Sequence, residues 1–475
     1  MKKILFSVAF VTMTLTSYSQ SFNYNELGAL FSRDEKNGTA RFNAMSGAFG
    51  SLGSDLSAVD INPAGGAVAN NSKFSATLYN RSLNNSIRYH NSNSSYQDDI
   101  LNIAQAGGIF VFDTNGSNSG WNKFAFSFNY RLKADFDNVY SGRGNNNQLP
   151  LFNEHPDDTS NQFNNGIEQN FRIKNNGQTS AFNVGMSAVH DKRLYVGASL
   201  KFHSLEFQQK TFLSERNEDD AGNTLSAANQ QYSYFDGNGF SFNLGFIYKL
   251  NKYLRVGLAY ESPTWYGELY EENDLNVFDP SNDRYDDWIG YTEIQTNTLS
   301  QINTFDNYNL FDDRDFLNSL VYQLRTPSRV TASTSLIFGK QGLISFDYTY
   351  KNFTNIRFSD FPVNDNTFND ANDTFSTGFR DTHSFSVGTE WRFDRLSIRG
   401  GAFYEKNPNL LVGGDTNIDN VKGYSGGLGY NFGNAQFDLS YQRSDNTQFQ
   451  SLYNRGDVNV DRMISRLSAT ITINL

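Results

Sequence analysis

Nine charged residues fall on the less apolar face of alternating segments: Arg131, Lys201, Arg255, Arg329, Asp347, Glu390, Arg392, Arg399 and Asp438. Guanidinium groups can grip a carboxylate head group in a fork. The same set can equally pair with itself and hold another stretch of chain, and both readings stay open. Five histidines accompany them: His90, His155, His190, His203 and His383. His203 and His383 lie at segment ends that lead into long loops, and His90 and His155 lie in such loops. Axial ligation of haem is one use for them; exposure to solvent is the other. Acidic runs at 279–287, 312–315 and 365–373 carry the oxygen ligands calcium takes, but lack the spacing and glycine of a calcium loop. They read as solvated surface. Catalytic groupings are missing. There is no HExxH, no phosphate-cradling glycine loop and no cysteine, and a serine hydrolase would rest on His203 with an unassigned serine. The expectation is a non-enzyme with no cofactor and no metal site.

The elements that must carry these charges are strands. Hydrophobic residues make up 38% of the 475, yet aromatics reach 15%, with 42 Phe and 26 Tyr. Asn, Ser, Gly and Asp are abundant, and no long helical pattern appears. That balance fits an outer-membrane barrel, in which one residue in two faces lipid, aromatic girdles mark the interfaces and polar loops dilute the mean. Period-two alternation predicts strands near 73–80, 106–112, 123–132, 178–189, 193–207, 239–250 and 253–261. Further strands follow near 328–338, 342–351, 382–393, 396–404, 422–432, 435–443 and 464–475. The even count of fourteen suits a bacterial barrel. In one of them Leu194, Val196, Ala198, Leu200 and Phe202 share a face opposite Tyr195, Gly197, Ser199, Lys201 and His203.

Connections alternate short and long. Short ones centre on Asp191-Lys192, Asn251-Lys252, Lys340-Gln341, Asp394-Arg395 and Gly433-Asn434; long ones are expected near 81–105, 133–177, 208–238, 262–327, 352–381, 405–421 and 444–463. Short periplasmic turns and long external loops place both termini in the periplasm. Residues 1–19 read as an export signal: Lys2 and Lys3, an apolar run from Ile4 to Leu15 too short to span a bilayer, then small residues before Gln20. A net charge of −11 argues against a nucleic-acid partner.

Before the first strand lies a glycine-punctuated stretch from Gly38 to Gly66, containing Asn62-Pro63, a turn-starting dipeptide. It reads neither as a long helix nor as a strand. Its small apolar residues suit packing into a confined space.

The segment GTARFNAMSGAFGSLGSDLSAVDINPAGGAV resembles the N-terminal hatch of the FadL-type (OmpP1/FadL/TodX) outer-membrane transporters of hydrophobic compounds. RVGLAYESPTWYGEL (255–269), LRTPSRVTASTSLIFGKQGLISFDYTYKNF (324–353) and FYEKNPN (403–409) add weaker matches in the right order. The resemblance implies a fourteen-stranded barrel over 71–475 plugged by residues 20–70. It implies hatch or gating roles for Arg41, Gly47, Ser57, Asn62, Pro63, Ala64 and Asp347. It also implies a groove between external loops, for which Trp265, Tyr266 and Trp288 are candidates, and a sideways exit at a kink in the strand 123–132. The partners expected are outer-membrane lipid and hydrophobic small molecules such as long-chain fatty acids, with the barrel working as a monomer. The alternatives are a surface binding or adhesion barrel and a haemin-binding receptor.

Overall fold

The computed structural model describes residues 23–89, 92–114, 120–145, 150–273, 276–279, 284–288, 290–299, 302–306, 319–361, 367–410, 420–453 and 456–475. The export signal lies outside them, as do His90 and the acidic run 312–315.

Fourteen antiparallel strands form the wall. In chain order they are β1 (Lys73–Tyr89), β2 (Ser92–Asp113), β3 (Trp121–Asp135), β4 (Asn165–His190), β5 (Leu194–Glu218) and β6 (Thr224–Lys249). Two strands are made in two pieces: β7 (Leu254–Glu261 and Trp265–Asn273) and β8 (Ser319–Arg325 and Arg329–Phe338). The rest are β9 (Gly342–Asn352), β10 (Asp381–Phe393), β11 (Leu396–Glu405), β12 (Val421–Asn431), β13 (Ala435–Tyr453) and β14 (Gly456–Asn474). Each pairs with the next, and β1 pairs with β14 from Lys73↔Asn474 to Tyr89↔Val458, which closes the ring. Closure leaves the sheet without a free first or last strand, as a sheet in lipid requires.

Burial follows the alternation, with the apolar side outward. On β5, Leu200 and Phe202 are 55% and 56% exposed while Lys201 and His203 are 0% and 3%. The outward row continues in Phe240, Leu244, Phe385, Leu428, Leu467 and Ile471. An apolar face turned outward is stable where the surrounding solvent is hydrocarbon.

Three of the expected loops are instead strand. The stretches 81–105, 208–238 and 444–463 are largely the upper parts of β1–β2, β5–β6 and β13–β14. β5 has 25 residues, and at ~3.3 Å each it is about 80 Å long, well beyond a ~25 Å apolar band even when tilted. These upper stretches carry polar residues on both faces, so hydropathy gives no strand signal there and only the backbone ladder defines them.

The N-terminal segment is helical in short pieces, each started by a side-chain cap. Asn23 and Glu26 make a reciprocal capping box for α1 (Tyr24–Phe31). Thr39 caps α2 (Ala40–Ala44), and Asp55 caps α3 (Leu56–Ile61). Asn62 caps a 3₁₀ turn (Pro63–Val68) that begins with proline, where no N–H is needed. Helices of five or six residues are too short for periodicity to reveal. A fourth helix, α4 (Asn369–Gly378), lies between β9 and β10. No helix among the described residues is long and apolar enough to cross a membrane.

Candidate functional site

Residues 38–69 are buried and bonded to inward side chains around the ring, so the segment occupies the lumen. Ala40 N–H donates to Thr470 Oγ1 on β14 at 2.7 Å, and Arg41 Nε donates to Glu390 on β10 at 2.7 Å. Ser46 meets Ser425 of β12 at 2.8 Å. Phe49 and Gly50 N–H groups both donate to Asp347 Oδ2 of β9, at 3.0 and 2.8 Å. Asn62 Nδ2 donates to Gly50 O at 2.8 Å and to Phe246 O of β6 at 3.0 Å, while its Oδ1 caps Ala64 N–H at 3.2 Å. One amide thereby ties two turns of the segment to the wall. Lys123 of β3 donates to Ala69 O at 2.6 Å.

The remaining residues singled out in this segment serve its internal shape. Ser57 Oγ accepts from Thr39 N–H at 2.8 Å, joining α2 to α3. Gly47 has φ +76°, a conformation glycine adopts freely. Pro63 and Ala64 lie so close to Gly197 of β5 that a Cβ there would stand 2.5 Å from Pro63 C and Ala64 N. The wall is thinned to bare backbone where this turn passes.

Above α3 the lumen holds a buried charge cluster. Asp34 and Asp60 of the segment and Glu261 of β7 face Arg131 and Lys133 of β3, Lys201 of β5 and Arg329 of β8. Arg131 bonds Asp34 at 2.9 Å and also pairs with Asp60. Lys201 reaches Glu261 at 2.6 Å and Asp60 at 3.3 Å. Arg329 reaches Asp34 at 2.5 Å and pairs with Glu261. Burial alone would raise the carboxyl pKa of Asp34, but Arg131, Lys133 and Arg329 outweigh it and hold it well below the usual range. Asp60 is lowered to about 2: burial opposes, and Lys201 and Arg131 prevail. Buried pairs of this kind add little net stability, yet breaking one strands a charge at ~3–5 kcal/mol. Lower down, Arg399 joins Glu390 at 2.7 Å and Asp438 at 2.6 Å. Arg255 donates to Leu52 O at 3.3 Å.

The acids Asp34, Asp60 and Glu261 and the base Lys133 were not among the sequence candidates. Glu261 was within reach: it lies on the same alternating face as Arg255, Gly257 and Ala259. Asp34 and Asp60 precede the wall and have no strand phase to betray them.

α1 packs into an aromatic nest toward the long-hairpin end. Leu27, Leu30 and Phe31 meet Phe136, Phe207, Phe235, Tyr266, Tyr322 and Phe358, with Phe368 and Phe375 from the β9–β10 connection closing over them. Tyr266 is a member of this nest, whereas Trp265 stacks on Phe240 and Phe242 of the outward row, at ring separations of 5.2 and 6.2 Å. The side chain of Trp288 lies outside the described residues. His203 is buried against Ser241 at 2.8 Å, and His383 bonds Tyr348 at 2.7 Å. Among the described residues no group of three His, Asp or Glu is placed to hold a metal ion.

The wall itself is interrupted beside β3. The β2–β3 ladder ends at Gln105↔Arg131. From there Leu132–Asp135 pair only with β4, with a register shift between Leu132 and Ala134. Both faces of this stretch are buried while it keeps its ladder to β4. Leu132 packs with Tyr79 and Ala104, and β2 continues beside it paired to β1 alone. Lys123–Arg131 is regular; the irregularity falls at the end of the expected stretch.

A closed fourteen-stranded barrel with its lumen filled by its own N-terminus defines the class. The chain has the fold of the FadL-type outer-membrane barrels. A Pseudomonas aeruginosa FadL homologue matches over 93% of this chain and 99% of its own, with a TM-score of 0.58 at 12% identity. The toluene transporter TodX of P. putida matches over 93% and 99%, with a TM-score of 0.53 at 13% identity. The monoaromatic hydrocarbon channel CymD matches over the same shares, with a TM-score of 0.51 at 14% identity. No protein-family model and no curated protein matches the sequence.

Proposed function

We propose that the chain is an outer-membrane channel that admits hydrophobic small molecules by passive diffusion, with residues 20–70 acting as a hatch. The observation that carries this reading is the combination of a lumen filled by residues 38–69 with a wall that loses its β2–β3 ladder above Arg131. A water-filled pore suits polar solutes. An apolar solute gains by exchanging one apolar contact for another, at roughly 25 cal/mol per Å2 kept from water. In this reading the stretch by Tyr79, Ala104 and Leu132, packed shut in this conformation, opens to release the solute sideways into lipid, with no energy source required. Hatch movement is then a shift in population toward whichever arrangement the solute binds better. The three neighbours are named for FadL homology, toluene transport and monoaromatic hydrocarbon passage, which supports the hydrophobic class. Within it, long-chain fatty acids are our specific candidate.

The test is uptake of labelled oleate, and separately of toluene, by cells lacking their own transporter, with and without this chain. Saturable uptake that falls when an introduced disulfide ties β2 to β3 beside Leu132 supports lateral passage. A folded surface barrel that takes up neither compound overturns the reading in favour of a binding barrel, and uptake of haemin alone replaces the substrate. Deleting 38–66 separates the classes further: a channel becomes leaky or loses uptake, whereas an adhesin keeps its binding.

A further inference from the structure

α1 divides the upper lumen in two. On one side its apolar residues fill the aromatic nest. On the other, Ala29, Leu30 and Arg33 border a cavity of about 250 Å3 whose opposite wall includes Phe403 of β11 and Arg462, Ile464 and Arg466 of β14. Arg462 is only 7% exposed, and its Nε has no hydrogen-bond partner. Arg33, Arg81 and Arg466 stand near it, with Glu35 the principal acid facing them. Glu35 is taken by Arg466, and Asp461 lies 3.8 Å from Arg88. Among the described residues no carboxylate is within ion-pair distance of Arg462. Arg81, equally buried, has Asp135 at 2.9 Å.

A desolvated guanidinium left without an anion is costly, because nothing repays the water it gave up. Arg462 also borders a second space, an outer crevice of about 810 Å3 beside the β1–β2 hairpin, where Arg88, Lys422 and Arg443 are near. It therefore stands between an outer crevice, whose acids Asp445 and Asp461 face Arg443 and Arg88, and an inner cavity of mixed walls, in which Asp34, Glu35 and Asp135 are already held by other cations.

We propose that Arg462, with Arg466 beside it, anchors the carboxylate of a compact organic acid whose apolar body lies against Leu30, Phe136 and Ile464. Planar, two-pronged recognition of a carboxylate is what a guanidinium provides best. Cavity size sets the rest of the ligand. Drug-sized ligands occupy ~300–1,000 Å3, so about 250 Å3 suits an aryl or short-chain acid and leaves no room for a full-length acyl chain. This inference rests on the transport reading for its meaning as a substrate site, and at this cavity it replaces the long-chain candidate with a compact acid.

The experiment compares phenylacetate with its neutral isostere phenylacetamide, by calorimetry on the folded full-length barrel. Wild type should bind the acid on the order of tenfold more tightly, the scale of one desolvated charge-assisted contact. Arg462→Gln should erase that preference and Arg462→Lys should keep part of it. Arg462→Gln should also melt no earlier than wild type, since it removes an unpaired buried charge. Equal affinity for acid and amide in wild type, or a preference that survives Arg462→Gln, overturns the proposal. So does a marked loss of stability, which would make Arg462 structural. Liposome uptake separates the two readings. Passage of toluene with no preference for the acid sinks the carboxylate site and leaves transport standing. A preference with no passage of any solute sinks transport and leaves the anion site.

Discussion

Arg41 of the N-terminal segment and Arg399 of β11 bind the same oxygen of Glu390, each at 2.7 Å. One wall carboxylate thus neutralises a cation of the segment and a cation of the wall together, with Arg392 Nη2 on its other oxygen at 2.5 Å.

This shared acceptor predicts unequal losses. Arg41→Ala leaves Glu390 two partners, whereas Glu390→Ala strands Arg41 in a buried site and leaves Arg399 only Asp438. The second should cost about 3–5 kcal/mol of local stability and the first clearly less. In planar bilayers, Glu390→Ala should open the barrel to ions more often than Arg41→Ala. Equal conductance for the two would count against the shared-acceptor account.

Asp347 accepts two consecutive backbone N–H groups, from Phe49 and Gly50. Asp347→Ala should leave both unsatisfied, costing ~1–3 kcal/mol, and amide exchange at Phe49 and Gly50 should speed up by roughly ten- to a hundredfold. Asp347→Asn keeps an acceptor oxygen and should lie between. Unchanged exchange in the alanine variant would show that these two bonds do not hold the segment.

Gly197 and Gly245 face the Asn62–Ala64 turn, and a Cβ at Gly245 would overlap Asn62 Oδ1. Gly197→Ala and Gly245→Ala should unseat the turn while leaving the wall folded. The check is a crosslink from an introduced cysteine pair joining the turn to β6, in a chain that has no cysteine of its own. Full crosslinking in both variants would refute the close-fit argument.

For the charge cluster the sign of the pH effect follows from Asp60. Its folded pKa is lowered to about 2 from an unfolded value near ~3.9. Its contribution is therefore fully present above about 4 and is lost as pH falls through the folded value. The seated segment should persist at pH 4 and loosen only toward pH 2. Amide exchange across 56–61 measured from pH 7 to pH 2 tests this; loosening already near pH 5 would contradict it.

Much of the wall was legible. All fourteen strands and the short turns at Asp191-Lys192 and Asp394-Arg395 follow from alternation, because lipid on one side and packed polar groups on the other impose period two. The phase of Leu200 against Lys201 is that rule at single-residue scale. The upper hairpins were not legible, since residues such as Gln208 and Gln209 meet no lipid and leave no hydropathy contrast. Nor was the seat of α1. Nothing in Tyr24–Phe31 alone says that its partners are Phe207 and Phe358, roughly 180 and 330 residues further on. Asp347 was singled out by its place in a family-like strand, and its bond partners emerged only with the folded segment. Lone acids such as Asp34 carry no pattern at all.

Thr470 sits at the seam of the ring. Its hydroxyl meets Thr77 of β1 at 2.7 Å and also accepts the Ala40 N–H at 2.7 Å. The first strand, the last strand and the internal segment therefore converge on a single oxygen. During biogenesis β14 leaves the ribosome after every other strand of the wall, so this junction cannot form until the whole wall has been made. By then residues 38–69 must already be gathered between the approaching edges, or be threaded in through an end. Zipping the cylinder shut and stowing its contents are thus coupled steps, and a Thr470→Val chain should stall as an unsealed assembly intermediate more often than one altered elsewhere on β14.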